Sequence, residues 1–308
     1  MGKVAFLFAG QGAQHPGMGK AMVERERAAR TVFEGLEALR PGLSALCLEG
    51  SAEELSQTEN TQPCVFAVDL ACARALAEHG VLPDAVAGFS LGEVAALSFA
   101  GAFSDEDAFR LVLARADLMA RASREHPGSM RAVVRLRAER VEELAAEAGD
   151  AWPVNYNSPL QTVVAGSEDA LVRLDALVRQ AGGRSLRVAV SGAFHSPLMA
   201  SATAGLAEWL GAHRPRATRV PVWANATGEP YGSDPLEMAG TLATQASHPV
   251  LWTKTLRSLA SWGVDTFVEV GPGTTLTKLV GHTLEGVRAL PCETPEQLDV
   301  VVSSIKGV

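Results

Sequence analysis

The chain has 308 residues, 47% hydrophobic and 20% charged, with a formal net charge of −8. That length and composition suit a globular chain with one large core and a smaller appended one, while an acidic balance without any Lys/Arg block argues against nucleic acid as partner. No apolar run approaches the ~20 residues that span a bilayer, and the N-terminus opens directly on a strand pattern, so a cytoplasmic chain with no membrane partner is expected.

In chain order, residues 3–9 (Lys-Val-Ala-Phe-Leu-Phe-Ala) read as a buried strand running into the glycine-rich stretch 10–19. A dinucleotide fingerprint would need glycine where His15 stands, and a phosphate loop would need Gly-Lys-Ser/Thr, so both nucleotide readings fail. Either the loop is a plain turn or its backbone N–H groups, especially that of Gln11, face a ligand at the C-terminal edge of a sheet. Helical patterns follow at roughly 18–39, and a helix is expected over Cys64 to Glu78. Pro63 suits the first turn of that helix and places Gln62 at its entrance. Cys47, Cys64, Cys72 and Cys292 have no paired Cys-x-x-Cys spacing, which predicts buried reduced thiols and no zinc site.

Residues 84–88 read as a short buried strand that enters Gly88-Phe89-Ser90-Leu91-Gly92, and residues 93–100 as a helix ended by Gly101. A strand turning sharply into a helix crowds its neighbours, so small residues flank a serine whose hydroxyl is exposed. The N–H of Leu91 is then free to receive developing negative charge on a carbonyl oxygen. A tight turn with an idle serine is the competing reading. From Asp105 to Ala122 runs an amphipathic helix with Leu111, Ala114 and Leu118 on one stripe and Arg110 and Arg115 elsewhere, so that Arg115 reads as an ordinary solvated arginine.

Residues 130–190 change texture. Strand 130–136, helix 138–148, strands 152–157 and 161–166, helix 168–181 and strand 184–190 give the order βαββαβ of a ferredoxin-like unit, bordered by Pro127-Gly128 and Ser191-Gly192. The unit reads as an insertion: residues 128–190 form a small subdomain, and 1–127 with 191–308 form the large one. Beyond it come a helix at 196–211, a strand at 220–224, helices through 262, and a strand at 266–270 before Gly271-Pro272-Gly273. A serine nucleophile needs a base. His79 and His213 sit at helix ends, His282 lies inside a helix, and His126 and His248 precede prolines in turns. His195 leaves a strand-like segment just before a helix, where α/β folds place catalytic groups, although a structural turn histidine is the alternative there.

Taken together, the motifs at 8–14 (Phe-Ala-Gly-Gln-Gly-Ala-Gln), 61–63 (Thr-Gln-Pro), 88–93 (Gly-Phe-Ser-Leu-Gly-Glu), 115–119 (Arg-Ala-Asp-Leu-Met), 155–159 (Asn-Tyr-Asn-Ser-Pro), 192–196 (Gly-Ala-Phe-His-Ser) and 269–273 (Glu-Val-Gly-Pro-Gly) resemble those of the malonyl-CoA:acyl carrier protein transacylases of the fatty-acid and polyketide acyltransferase family, in that family's order. The resemblance implies an α/β fold, with an α/β-hydrolase-like large subdomain and an inserted ferredoxin-like small subdomain. It also implies a Ser90–His195 dyad that passes malonyl from malonyl-CoA to the phosphopantetheine thiol of a holo acyl carrier protein, without a cofactor or metal. In the same way it implies an oxyanion hole from the N–H groups of Gln11 and Leu91, a carboxylate clamp at Arg115, and a pocket that includes Gln62, Met119, Asn155 and Phe194. Phe194 would exclude a methyl branch on the acyl group, and the backbone carbonyl of Gln245 would orient the histidine. Phe89 departs from the histidine frequent before the nucleophile, and Arg131 stands where a small residue is common, with solvent exposure or a basic rim as its expected setting. A serine hydrolase would share the dyad but has no need of Arg115, and a catalytically dead docking module would keep only the fold.

Overall fold

The computed structural model describes residues 2–190 and 192–307, and among them nine strands sort into two sheets. Numbered in chain order, they are β1 (Lys3–Phe8), β2 (Ala85–Gly88), β3 (Ser129–Val134), β4 (Ala151–Ser158), β5 (Gln161–Gly166), β6 (Arg184–Arg187), β7 (Val222–Trp223), β8 (Val264–Val270) and β9 (Arg288–Cys292). The larger sheet is wholly parallel in the order β7-β2-β1-β8-β9. Its central strand shows why the sequence there is apolar without alternation. Side chains alternate across a strand, and Val4, Phe6 and Phe8 enter one hydrophobic core while Ala5 and Leu7 enter another. Helices cover both faces, as a parallel sheet requires.

The smaller sheet is antiparallel, in the order β4-β5-β3-β6. Helices Ala138–Ala148 and Glu168–Gln180 lie on one side of it, and Val133 and Val164 share a third core there with Leu144, Leu171 and Leu174. The expected α/β architecture, a large parallel sheet joined to a small antiparallel one in βαββαβ order, is therefore present. Ser191, expected at a border of the insertion, lies outside the described residues.

Several elements differ from expectation. The helix expected from Cys64 starts at Thr58 and carries Pro63 in its interior. Proline there supplies no N–H to the carbonyl four residues back, and that carbonyl, of Glu59, accepts instead from Arg40 Nη1 at 2.9 Å. The helix after the expected His195 loop opens as a short 3-10 turn, Pro197–Met199, before the α-helix Ala200–Ala212. Strand β7 is only two residues long, paired with β2 and joined to Pro230 by an isolated antiparallel bridge at Trp223. Helix Asp105–Glu125 buries Ala108, Phe109, Leu111, Val112, Arg115, Ala116 and Met119, so its inward face is rotated from the Leu111–Ala114–Leu118 stripe. Arg131 is neither exposed nor on a rim. It is 5% exposed and pairs with Glu168 at 2.6 Å and Asp175 at 3.2 Å, because its position on β3 faces helix Glu168–Gln180. The four cysteines are free and buried.

Candidate active site

Strands β1 and β2 are parallel neighbours with Phe8 opposite Gly88, so the loop after one and the turn after the other leave the same sheet edge side by side. The turn at Ser90 is strained: φ is 53° and ψ −104°, outside the regions that L-residues favour. Its flanking glycines are dictated by contact. A Cβ on Gly88 would lie 1.9 Å from the carbonyl carbon of Gly92, and one on Gly92 would lie 2.2 Å from the carbonyl oxygen of Phe8. Asn225 holds the turn, accepting from the Ser90 N–H at 2.7 Å and donating to the Gly88 carbonyl at 2.6 Å. Leu91 opens helix Leu91–Ala100, so its N–H has no intrahelical acceptor.

His195 also has positive φ, 63°, and its N–H donates to the Ala246 carbonyl at 2.9 Å. Its ring Nε2 lies 2.7 Å from Ser90 Oγ, and its Nδ1 lies 2.8 Å from the backbone carbonyl of Gln245. A carbonyl only accepts, so the proton of the neutral ring sits on Nδ1 and leaves Nε2 to receive the serine hydroxyl. Burial, with the nearby Arg115 charge, pushes the imidazole pKa down to about 4, which keeps the ring neutral.

Arg115 is 2% exposed, not solvated as its helical pattern suggests. Its Nη1 donates to Gln62 Oε1 at 2.7 Å, its Nη2 to Gln245 Oε1 at 2.7 Å and to Ser90 Oγ at 3.0 Å, and its Nε to Gln245 Oε1 at 3.2 Å. Burial lowers its pKa to about 10, against the Glu93 charge that raises it, so it stays a cation at neutral pH. Gln245 thus uses its backbone carbonyl on the histidine and its side chain on the arginine. Gln62 lies behind Arg115, with its Nε2 3.7 Å from Met119 Sδ.

A cavity of about 260 Å³ opens over this cluster, with Gln11, Arg115, Met119, Asn155, Phe194 and His195 in its wall. The side-chain oxygens of Asn155 and Asn157, both buried, lack hydrogen-bond partners among the described residues. Gln11, in the cavity wall, ties its side chain to Thr58 Oγ1 at 2.8 Å. Phe89, also in the cavity wall, packs its ring edge-on to Trp252 with centroids 5.3 Å apart, which accounts for an apolar residue beside the nucleophile. Among the described residues, no cluster of three or more His, Cys, Asp or Glu is placed to hold a metal. Sequence reasoning gave no role to Glu93, Asn225 or Tyr231. Glu93 did carry a signal, since it is the one charged residue in a helix whose ten residues are all buried.

Residues 5–301 match the family model described as an acyl transferase domain. The malonyl CoA-acyl carrier protein transacylase of Bacillus subtilis (strain 168) is 35% identical over 312 residues, covering 99% of this chain and 98% of that protein. The crystal structure of a malonyl CoA-acyl carrier protein transacylase from Clostridium perfringens superposes with a TM-score of 0.94 at 34% identity, covering 99% of this chain and 98% of that one. A malonyl-transacylase solved in complex with its type II PKS acyl-carrier protein also gives a TM-score of 0.94, at 32% identity over 98% of this chain and 99% of that one.

Proposed function

The chain belongs to the acyl transferase domain family, and from that premise we propose that it transfers malonyl from malonyl-CoA to the phosphopantetheine thiol of a holo acyl carrier protein. The observation that carries this reading is the buried Arg115 cation donating to the oxygen of Ser90, at 3.0 Å. A serine hydrolase has no use for a desolvated guanidinium at its nucleophile. A substrate that brings its own carboxylate does, because the planar fork of arginine matches it with two parallel hydrogen bonds.

In the first half-reaction Ser90 Oγ attacks the thioester carbonyl while His195 Nε2 takes its proton. The carbonyl oxygen becomes an oxyanion held by the N–H groups of Gln11 and Leu91. The C–S bond then breaks, and the departing CoA sulfur takes the proton from Nε2, leaving malonyl-Ser90. The carrier thiol repeats the sequence in reverse, its proton passing to His195 and finally to Ser90 Oγ. Ser90, His195 and the two N–H groups supply the nucleophile, the base and the oxyanion contacts, so the transfer proceeds on the chain's own groups. Arg115 hands the hydrogen bond that it makes to Ser90 over to the malonyl carboxylate, and Gln245 keeps the imidazole and guanidinium in register. Asn155 and Asn157 offer acceptors to N–H groups of the entering arm, and Met119 shapes the pocket. Phe194 crowds the acyl α-carbon, which disfavours a methyl branch by about 1–3 kcal/mol. We assign residues 1–127 and 191–308 to the unit that carries the dyad and 128–190 to the unit that closes the cleft, and we place the reaction in the cytoplasm, where CoA thioesters and carrier proteins meet.

Intact-protein mass spectrometry tests this. Malonyl-CoA is expected to leave a malonyl adduct on Ser90 that moves to added holo carrier protein, with much less adduct from methylmalonyl-CoA or acetyl-CoA. No adduct, or one lost to water equally fast with and without carrier, would overturn the reading in favour of a hydrolase or an inactive docking module.

A further inference from the structure

Behind the Ser90–His195–Arg115 cluster lies a buried carboxylate that the reaction does not touch. Glu93 is 1% exposed and accepts three hydrogen bonds: from Tyr231 Oη at 2.6 Å and the Asn225 N–H at 3.0 Å on Oε1, and from Gln245 Nε2 at 2.6 Å on Oε2. Asn225 and Tyr231 belong to one connection after β7, which the Tyr231 N–H pins to the Val222 carbonyl at 2.8 Å.

The chemistry of the donors fixes the direction of the whole chain. Arginine has no acceptor, so the Gln245 side chain must turn its oxygen to Arg115 and its NH2 away. Both of those amide hydrogens are used, on Glu93 Oε2 and on the Ser90 carbonyl, each at 2.6 Å. A glutamine at 93 could keep its oxygen on Tyr231 and the Asn225 N–H only by turning its own NH2 toward the Gln245 NH2, and that donor-against-donor contact would push the Gln245 amide off the position from which its oxygen anchors Arg115 Nε and Nη2. The nucleophile turn is held by the Asn225 side chain, and because the Asn225 N–H also donates to Glu93, reaction with an ester that lacks a carboxylate reports any change at the turn itself.

We propose that Glu93, braced by Tyr231, is a positioning residue for recognition of the substrate carboxylate: it locks the Gln245 amide in the orientation that aims Arg115 into the cavity. Glu93 also supplies a countercharge to the buried guanidinium before substrate arrives. The inference rests on the malonyl reading, because only a carboxylate-bearing acyl group would sense the aim of Arg115.

The test compares two donors in the full-length protein: malonyl-CoA, and p-nitrophenyl acetate as a small ester without a carboxylate. Glu93→Gln is expected to raise the malonyl-CoA KM about tenfold or more, and Tyr231→Phe about threefold, while ester acylation in Tyr231→Phe stays within about twofold of wild type. The deciding quantity is the ratio of malonyl to ester efficiency. A fall in that ratio beyond twofold supports the role. A ratio that stays within twofold in every variant that folds overturns it and leaves Glu93 a packing residue. Should Glu93→Gln not fold, Tyr231→Phe decides alone. A wild-type protein that takes acetyl from the ester but no malonyl would show that the malonyl reading itself, and the inference with it, has failed.

Discussion

Ser90 and His195 both hold positive φ, and no other pair of non-glycine residues with that strain meets across a 2.7 Å contact among the described residues. The strain is held in place by Asn225 at one and by the Ala246 carbonyl at the other. Because burial lowers the His195 pKa from 6.5 to about 4, the ring is a competent base throughout the neutral range. The sign follows: acylation is lost as pH falls through the folded value, and the unfolded chain binds the extra proton already below 6.5, so stability also declines from there toward 4. Adduct formation followed by quenched mass spectrometry should therefore stay flat from pH 7 to about 5, with half its rate near 4; an inflection near 6.5 would mean a solvated ring. Arg115→Ala is expected to lose malonyl transfer by about 10³-fold or more while acetyl transfer is retained or gains, because acetyl leaves the buried cation unpaired in the parent protein. Equal losses for both acyl groups would remove the clamp role. Local pattern could single out Ser90, whose glycine spacing is a backbone constraint. It could not single out Arg115, whose burial is decided by what packs on helix Asp105–Glu125 from elsewhere in the chain.

At the level of elements, the turn between β2 and helix Leu91–Ala100 depends on the absence of two Cβ atoms. Gly92→Ala pushes a methyl into the Phe8 carbonyl and Gly88→Ala pushes one into the Gly92 backbone, neither of which is a flexible side-chain end that can move aside. Each is expected to cost about 3 kcal/mol or more, or to prevent folding, read by thermal unfolding together with loss of acylation. Arg131 gives the opposite expectation. Its partners Glu168 and Asp175 are half-exposed, so water can recover them. Arg131→Met should cost about 1–2 kcal/mol in urea unfolding, with malonyl transfer to Ser90 little changed. Elements with a strong period were legible in the sequence, as helix 138–148 and strand 161–166 show. What was not legible came from long-range contact. Arg40 caps the carbonyl that Pro63 orphans and so extends a helix upstream of its proline, and β9 is a strand through its pairing with β8.

For the molecule as a whole, the net charge of −8 sets a condition on its macromolecular partner. An acidic carrier protein is repelled by the average surface, so productive encounter requires a local patch of the opposite sign near the cavity. Strand β6 meets that requirement. It is the free edge of the small sheet, carries exposed Arg184 and Arg187, and runs directly into Val188 and Val190 in the cavity wall. Attraction between exposed charges is screened within about 8 Å at physiological salt. Raising salt from about 20 to 500 mM should therefore lower kcat/KM for holo carrier protein by about tenfold, with acylation by p-nitrophenyl acetate indifferent to it. Replacing both arginines by glutamate should raise the carrier KM and flatten that salt dependence, since the steering charge is gone, while the dyad, which neither arginine hydrogen-bonds, keeps its ester reactivity. If the doubly substituted protein retains the full salt slope, the carrier approaches across another face, and the edge of β6 serves only to close the small sheet.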